Sequence, residues 1–161
     1  MKIRLALVFA LSLAALTLIS AQSGLPQYVV DASWPKPLPN NWIMGQVGGM
    51  AVDGQDRIWV FQRPRSLTDD EKGAELNPPV SDCCKAAPSV LVFDREGNLV
   101  KSWGGPGTIP NWMQNEHAIY VDRGGNVWLA GNQAPMPNVP EDRQIFKFNN
   151  DGRLLATYGR P

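Results

Sequence analysis

From residue 48 onward the apolar positions come in short runs broken by glycine-bearing turns. Val90-Leu91-Val92-Phe93 and Ile145-Phe146-Lys147-Phe148 are β-branched and aromatic runs of strand length, too short for stable helices. Glu96-Gly97-Asn98 and Asp151-Gly152 separate such runs from the next apolar stretch, which is the pattern of a hairpin. Before these runs, residues 32–42 hold prolines at 35, 37 and 39, which excludes a helix or a central strand. The pattern predicts an extended lead-in over residues 22–47, with Trp34 and Trp42 packed against the rest of the protein.

The runs repeat. Met50 to Val60 aligns with Ile119 to Leu129, and both Asp53 to Asp122 and Trp59 to Trp128 give an offset of 69. Val90 to Gly104 matches Ile145 to Gly159, where Phe93 to Phe148 and Trp103 to Tyr158 give 55. The drop from 69 to 55 locates a 14-residue insertion in the first copy, within residues 64–88. Each copy therefore predicts four antiparallel strands, over residues 50–104 and 118–159. A four-stranded meander repeated at this spacing is the unit of a β-propeller. A β-sandwich also has strands and turns, but does not require two such similar units. The expected fold is all-β, a partial propeller over residues 48–161. Two blades do not close a ring, since propellers take about four or more. The reading is therefore a fragment of a larger ring, or copies that associate.

Composition adds a compartment. Lys2 and Arg4 precede an apolar run of 15 residues from Leu5 to Ile19, and Ala21-Gln22-Ser23 supplies small residues for cleavage after Ala21 or Ser23. This is secretory signal grammar over residues 1–21, and the run falls short of the roughly 20 residues that span a bilayer. An uncleaved anchor is the alternative; cleavage leaves no stable membrane span and places the protein outside the cell or in a periplasm. The chain carries 15 basic and 15 acidic residues, so charge points to no nucleic-acid partner. Gly and Pro together make 29 of 161 residues, which fits a turn-rich protein, while six Trp argue against disorder.

Cys83 and Cys84 are the only cysteines. Export favours a vicinal disulfide between them; free thiols, or pairing outside the chain, are the other outcomes. His117, the only histidine, precedes a first strand of the second copy, and Arg63 follows a second strand of the first. Antiparallel order puts both at one rim. On residue type alone His117 is either a satisfied polar side chain or a metal ligand, and Arg63 with Arg65 reads as a solvated pair. Asp53, Asp56, Asp122 and Asp151 sit where turns favour Asp for backbone reasons. Trp59, Trp103 and Trp128 recur with the repeat and read as packing.

Gly49-Met50-Ala51-Val52-Asp53 followed by Ile58-Trp59-Val60-Phe61, together with Val90 to Gly104, resembles NHL repeats. More closely, Val47 to Asp53 with Phe61-Gln62-Arg63, Glu116 to Asp122, Gly125 to Leu129 and Arg143 to Phe148 are similar to conserved regions of the peptidyl-α-hydroxyglycine α-amidating lyase family. That resemblance implies a six-bladed ring of which this chain is the N-terminal part. It also implies a metal-dependent lyase that cleaves a C–N bond and releases glyoxylate from a small-molecule or peptide substrate. By it Arg63 is the catalytic arginine and His117 a zinc ligand, while the backbone carbonyls of Met50 and Ile119 hold calcium. The family pattern has Pro where Glu116 stands, Gly where Ala118 stands, and no cysteine-bearing insertion. The alternatives are a non-catalytic propeller that binds a protein or glycan, and a calcium-dependent, lactonase-like hydrolase.

Overall fold

The computed structural model describes residues 25–160, and the chain divides into two units, 1–31 and 32–161. In the first unit residues 25–31 hold no helix or strand. The predicted signal segment and its cleavage site lie outside the described residues. Among the described residues no helix is long and apolar enough to cross a membrane.

The second unit is all-β. A first antiparallel sheet runs β2 (Gln46–Val52), β3 (Ile58–Arg63), β5 (Val90–Phe93) and β6 (Leu99–Trp103), in that spatial order. A second runs β7 (Glu116–Val121), β8 (Val127–Gly131), β9 (Gln144–Phe148) and β10 (Leu154–Gly159), again in sequence order. The register repeats as well as the topology. Met50 pairs with Val60 as Ile119 pairs with Leu129, and Ile58 with Phe93 as Val127 with Phe148. Val90 pairs with Trp103 as Ile145 pairs with Tyr158. The four-stranded units expected from the two offsets are thus present, each an antiparallel meander.

The sheets pack face to face through side chains that alternate along each strand. Trp59, Phe61, Val90 and Val92 of the first sheet meet Val121, Val127, Leu129, Phe146 and Phe148 of the second, with Trp112 and Met113 filling in from the connecting segment. Aromatic rings hold the seam: Trp103 lies 5.1 Å from Phe148, and Trp112 lies 6.2 Å from Phe148 and 6.3 Å from Phe61. Close packing extends to the backbone at Gly152, whose φ of +82° suits glycine and where a Cβ would stand 2.7 Å from the Trp103 ring. Lys101 closes the outer edge of the seam, donating to Asn150 Oδ1 at 2.5 Å and Asp151 Oδ1 at 2.6 Å.

The other face of the first sheet is covered over its two middle strands, while Met50 and Val52 of β2 stay exposed. Val60, Leu91 and Phe93 pack with Ala87 against Trp34, Leu38, Trp42 and Met44 of the lead-in, and Trp34 lies 5.5 Å from Phe93. This explains why β5 is an unbroken apolar run, whereas β9 alternates: β5 is buried on both faces and β9 on one. In the second sheet Trp128 stacks on Tyr158 at 5.6 Å beneath the Lys147 ammonium, on a face where Tyr120, Ile145 and Tyr158 are exposed.

The insertion is stitched to the lead-in. β1 (Trp42–Ile43) pairs in parallel with β4 (Lys85–Ala86). Gln62, fully buried, accepts the Gly45 N–H at 2.8 Å and donates to the carbonyls of Ala87 and Pro88 at 2.7 and 3.1 Å. The insertion carries the disulfide Cys83–Cys84, with the Ser81 hydroxyl donating to the Cys83 carbonyl and Ala74 N–H to that of Cys84. Peptide mapping of the non-reduced protein should show the fragment holding both residues lighter by two hydrogens; recovery of two alkylatable thiols there would refute the bond.

Candidate functional site

The rim where Arg63 and His117 meet is built by two β-bulges at repeat-equivalent positions. Val47 pairs with Gln62 and Gly49 with Phe61, which leaves Gly48 as the extra residue; Glu116 pairs with Gly131 and Ala118 with Ala130, which leaves His117. A bulge re-aims the side chain at the strand end, and bulges recur beside functional sites. Here one bulge carries glycine and the other the only histidine. The two bulges touch: a Cβ on Gly48 would lie 2.3 Å from the Glu116 carbonyl oxygen.

Arg63, at the end of β3, reaches across this contact. Its Nε donates to the Glu116 carbonyl at 2.7 Å, Nη1 to Gln46 Oε1 at 3.3 Å, and Nη2 stands 3.5 Å from His117 Nδ1. The planar guanidinium is therefore fixed by three neighbours on two strands, an arrangement a flexible ammonium would not reproduce. His117 and Gln46 are exposed and Arg63 is half-buried, so the group opens to solvent. Residues 53 and 54 positions apart in sequence are brought into one cluster.

Glu116, beside His117, is fully buried. Its Oε1 accepts the Ser89 hydroxyl at 3.0 Å and the Trp112 indole N–H at 2.9 Å, while Oε2 has no partner among the described residues. Asp142 braces the segment leading to this rim, accepting backbone N–H groups of Gln114, Asn115 and Gln133 at 2.7, 3.0 and 2.9 Å. Arg65 adds a bond to the Met113 carbonyl at 2.9 Å, so it is a brace for that segment rather than a free surface charge. None of Glu116, Asp142 or Gln62 stands out in the sequence as a site residue, because their partners are set by loop paths that no local pattern encodes.

The turn carboxylates lie in the turns between paired strands and hold those turns in shape. Asp53 and Asp122 each accept two backbone N–H groups through Oδ1 and an indole N–H, from Trp59 and Trp128, through Oδ2. The Trp128 indole first, and then Asn126, hold Asp122 down to about 2. Burial pushes Asp53 up, but the Trp59 indole, the Gln55 and Arg57 amides and the Arg57 guanidinium outweigh it and the net direction is down. Both stay ionised at neutral pH with their oxygens already engaged. The cavity of about 830 Å³ lined by these two turns therefore offers no free carboxylate from either. Asp151 departs from the pattern: it pairs with Lys101, and Asn149 holds that turn, accepting the N–H groups of Asp151 and Arg153. Asp56, at φ +57°, faces Arg95 at 3.5 Å.

The metals implied by the resemblance are tested by the donors present. Zinc takes three or four protein ligands. His117 can offer one imidazole nitrogen, its Nδ1 faces a guanidinium, and no group of three His, Cys, Asp or Glu is assembled among the described residues. Met50 and Ile119 occupy equivalent register positions on the first strands of the two sheets. Two carbonyls fall short of the six to eight oxygens calcium takes. The described residues thus fit neither metal on their own. No protein-family model and no curated protein matches the chain.

Proposed function

We propose that the chain is part of an exported β-propeller of NHL type. At its Arg63–His117 rim it handles a carbonyl- or carboxylate-bearing small molecule or peptide, with carbon–nitrogen lyase chemistry of the amidating type as its reaction. The observation that carries this reading is the cluster itself, in which Arg63 reaches His117 and the Glu116 carbonyl across two sheets. The repeated register supports the propeller architecture, and the signal-like N-terminus supports export to a periplasm or the exterior.

Arg63 is oriented before any ligand arrives, because Nε and Nη1 already donate within the protein. A permanent charge held in place stabilises negative charge that develops on a substrate oxygen, with no reorganisation at the moment of reaction. His117, exposed beside it, can bind the same ligand or exchange a proton with it. A zinc ion, when bound, would supply Lewis-acid polarisation, and among the described residues His117 would offer it one nitrogen.

The test is an assay for glyoxylate with a peptide ending in α-hydroxyglycine, run on the full exported protein with and without added zinc. Release of glyoxylate is the expected result. Binding of that peptide by calorimetry with no release would instead favour a binding propeller. The same guanidinium and imidazole can hold a carboxylate without chemistry, which is what that second reading requires.

A further inference from the structure

We propose that Glu116 is the positioning residue of this rim, its buried carboxyl group fixing the bulge that presents His117 and receives Arg63. The inference rests on the reading of the rim as the site, and concerns one of the two positions flanking His117 where the sequence departs from the resemblance. Glu116 acts through two parts of itself. Its side chain is anchored by Ser89, just before the third strand of the first sheet, and by Trp112, in the segment between the sheets. Its main-chain carbonyl takes the Arg63 Nε–H, and the next residue is His117. A displacement of the carboxyl group therefore shifts both ends of the Arg63–His117 contact together.

The energetics argue that the side chain is not filler. A fully buried carboxyl group with one oxygen lacking a partner is costly, and an apolar residue of similar size would fill the space more favourably. What leucine would not supply is direction. The two donors meet one oxygen from different elements, which sets where the Glu116 backbone lies and, with it, the bulge. Trp112 is itself wedged between Phe61 and Phe148 in the seam, so the anchor is rigid.

His117 is the only histidine, so its imidazole Cε1–H gives one cross-peak in a carbon–proton spectrum and reports on the rim without any substrate. Glu116→Leu should move or split that peak while the backbone amides of the third and fourth strands of each sheet stay in place. Glu116→Gln, which keeps the acceptor, should return it to the wild-type position. Should Glu116→Leu fail to fold, Ser89→Ala decides, since it removes one anchor and little volume: a moved peak supports the inference and an unmoved one overturns it. An unmoved peak in folded Glu116→Leu overturns it equally. Where glyoxylate release is found, turnover should fall about 10- to 100-fold in Glu116→Leu and recover in Glu116→Gln. Absence of any release leaves the spectroscopic result standing, so the failure of the lyase reading and that of the positioning role are told apart.

Discussion

Gly48→Ala is expected to lower the unfolding free energy by about 1–3 kcal/mol, the range for forcing an extra carbon into a packed interior. The added Cβ would lie 2.3 Å from the Glu116 carbonyl oxygen, 3.0 Å from its carbon and 3.2 Å from His117 Cα. All three are backbone atoms of the opposing bulge, so no side chain can rotate away to relieve the clash. Either the two first strands separate or the Arg63 Nε bond to that same carbonyl is lost. Denaturant titration of the variant measures the cost, and Gly54→Ala is the control. A Cβ at Gly54 would meet nothing within 4 Å, and that change should stay within about 0.5 kcal/mol of wild type. Equal midpoints for Gly48→Ala and the wild type would mean that the two bulges are not in contact.

Arg63→Ala should reduce turnover of an α-hydroxyglycine substrate by about 100-fold or more, as expected when a preorganised charge facing a developing oxyanion is removed. Arg63→Lys should rescue little of it. A lysine keeps the charge, but its single ammonium cannot hold the Glu116 carbonyl, Gln46 and the His117 side at once. Steady-state kinetics on both variants, with near-ultraviolet circular dichroism to confirm that the tryptophan-rich seam is intact, separates loss of chemistry from loss of fold. Turnover unchanged in folded Arg63→Ala would remove Arg63 from the site.

What was legible in the sequence was what repeats or acts locally. Strands, turns and pairing followed from the two offsets, because a side-chain period of two and a glycine turn are encoded within a few residues. The turn-holding roles of Asp53 and Asp122 followed likewise, since their amide partners lie two and four residues away, whereas the indole bonds from Trp59 and Trp128 were hidden behind a reading of those rings as packing. The shared rim of Arg63 and His117 followed from strand direction alone. Glu116 was not legible as an anchor: its bonds to Ser89 and Arg63 span 27 and 53 residues, and depend on how the segment from Gly104 to Asn115 folds back. Gln62 was hidden for the same reason, its partners lying in the lead-in and the insertion, and Asp142 because three amides converge on it from two separate loops.

The middle strands of the first sheet are covered on both sides and the second sheet presents an aromatic face, although their pairing is the same. Trp59 and Trp128 are repeat partners, yet Trp59 is sealed in the seam and Trp128 shares an open face with Tyr158. One repeated shape thus meets two surroundings: the face at Trp59 already has a sheet against it, while the equivalent face at Trp128 offers its stacked rings to a next layer, as the first sheet offers Trp59 to the second.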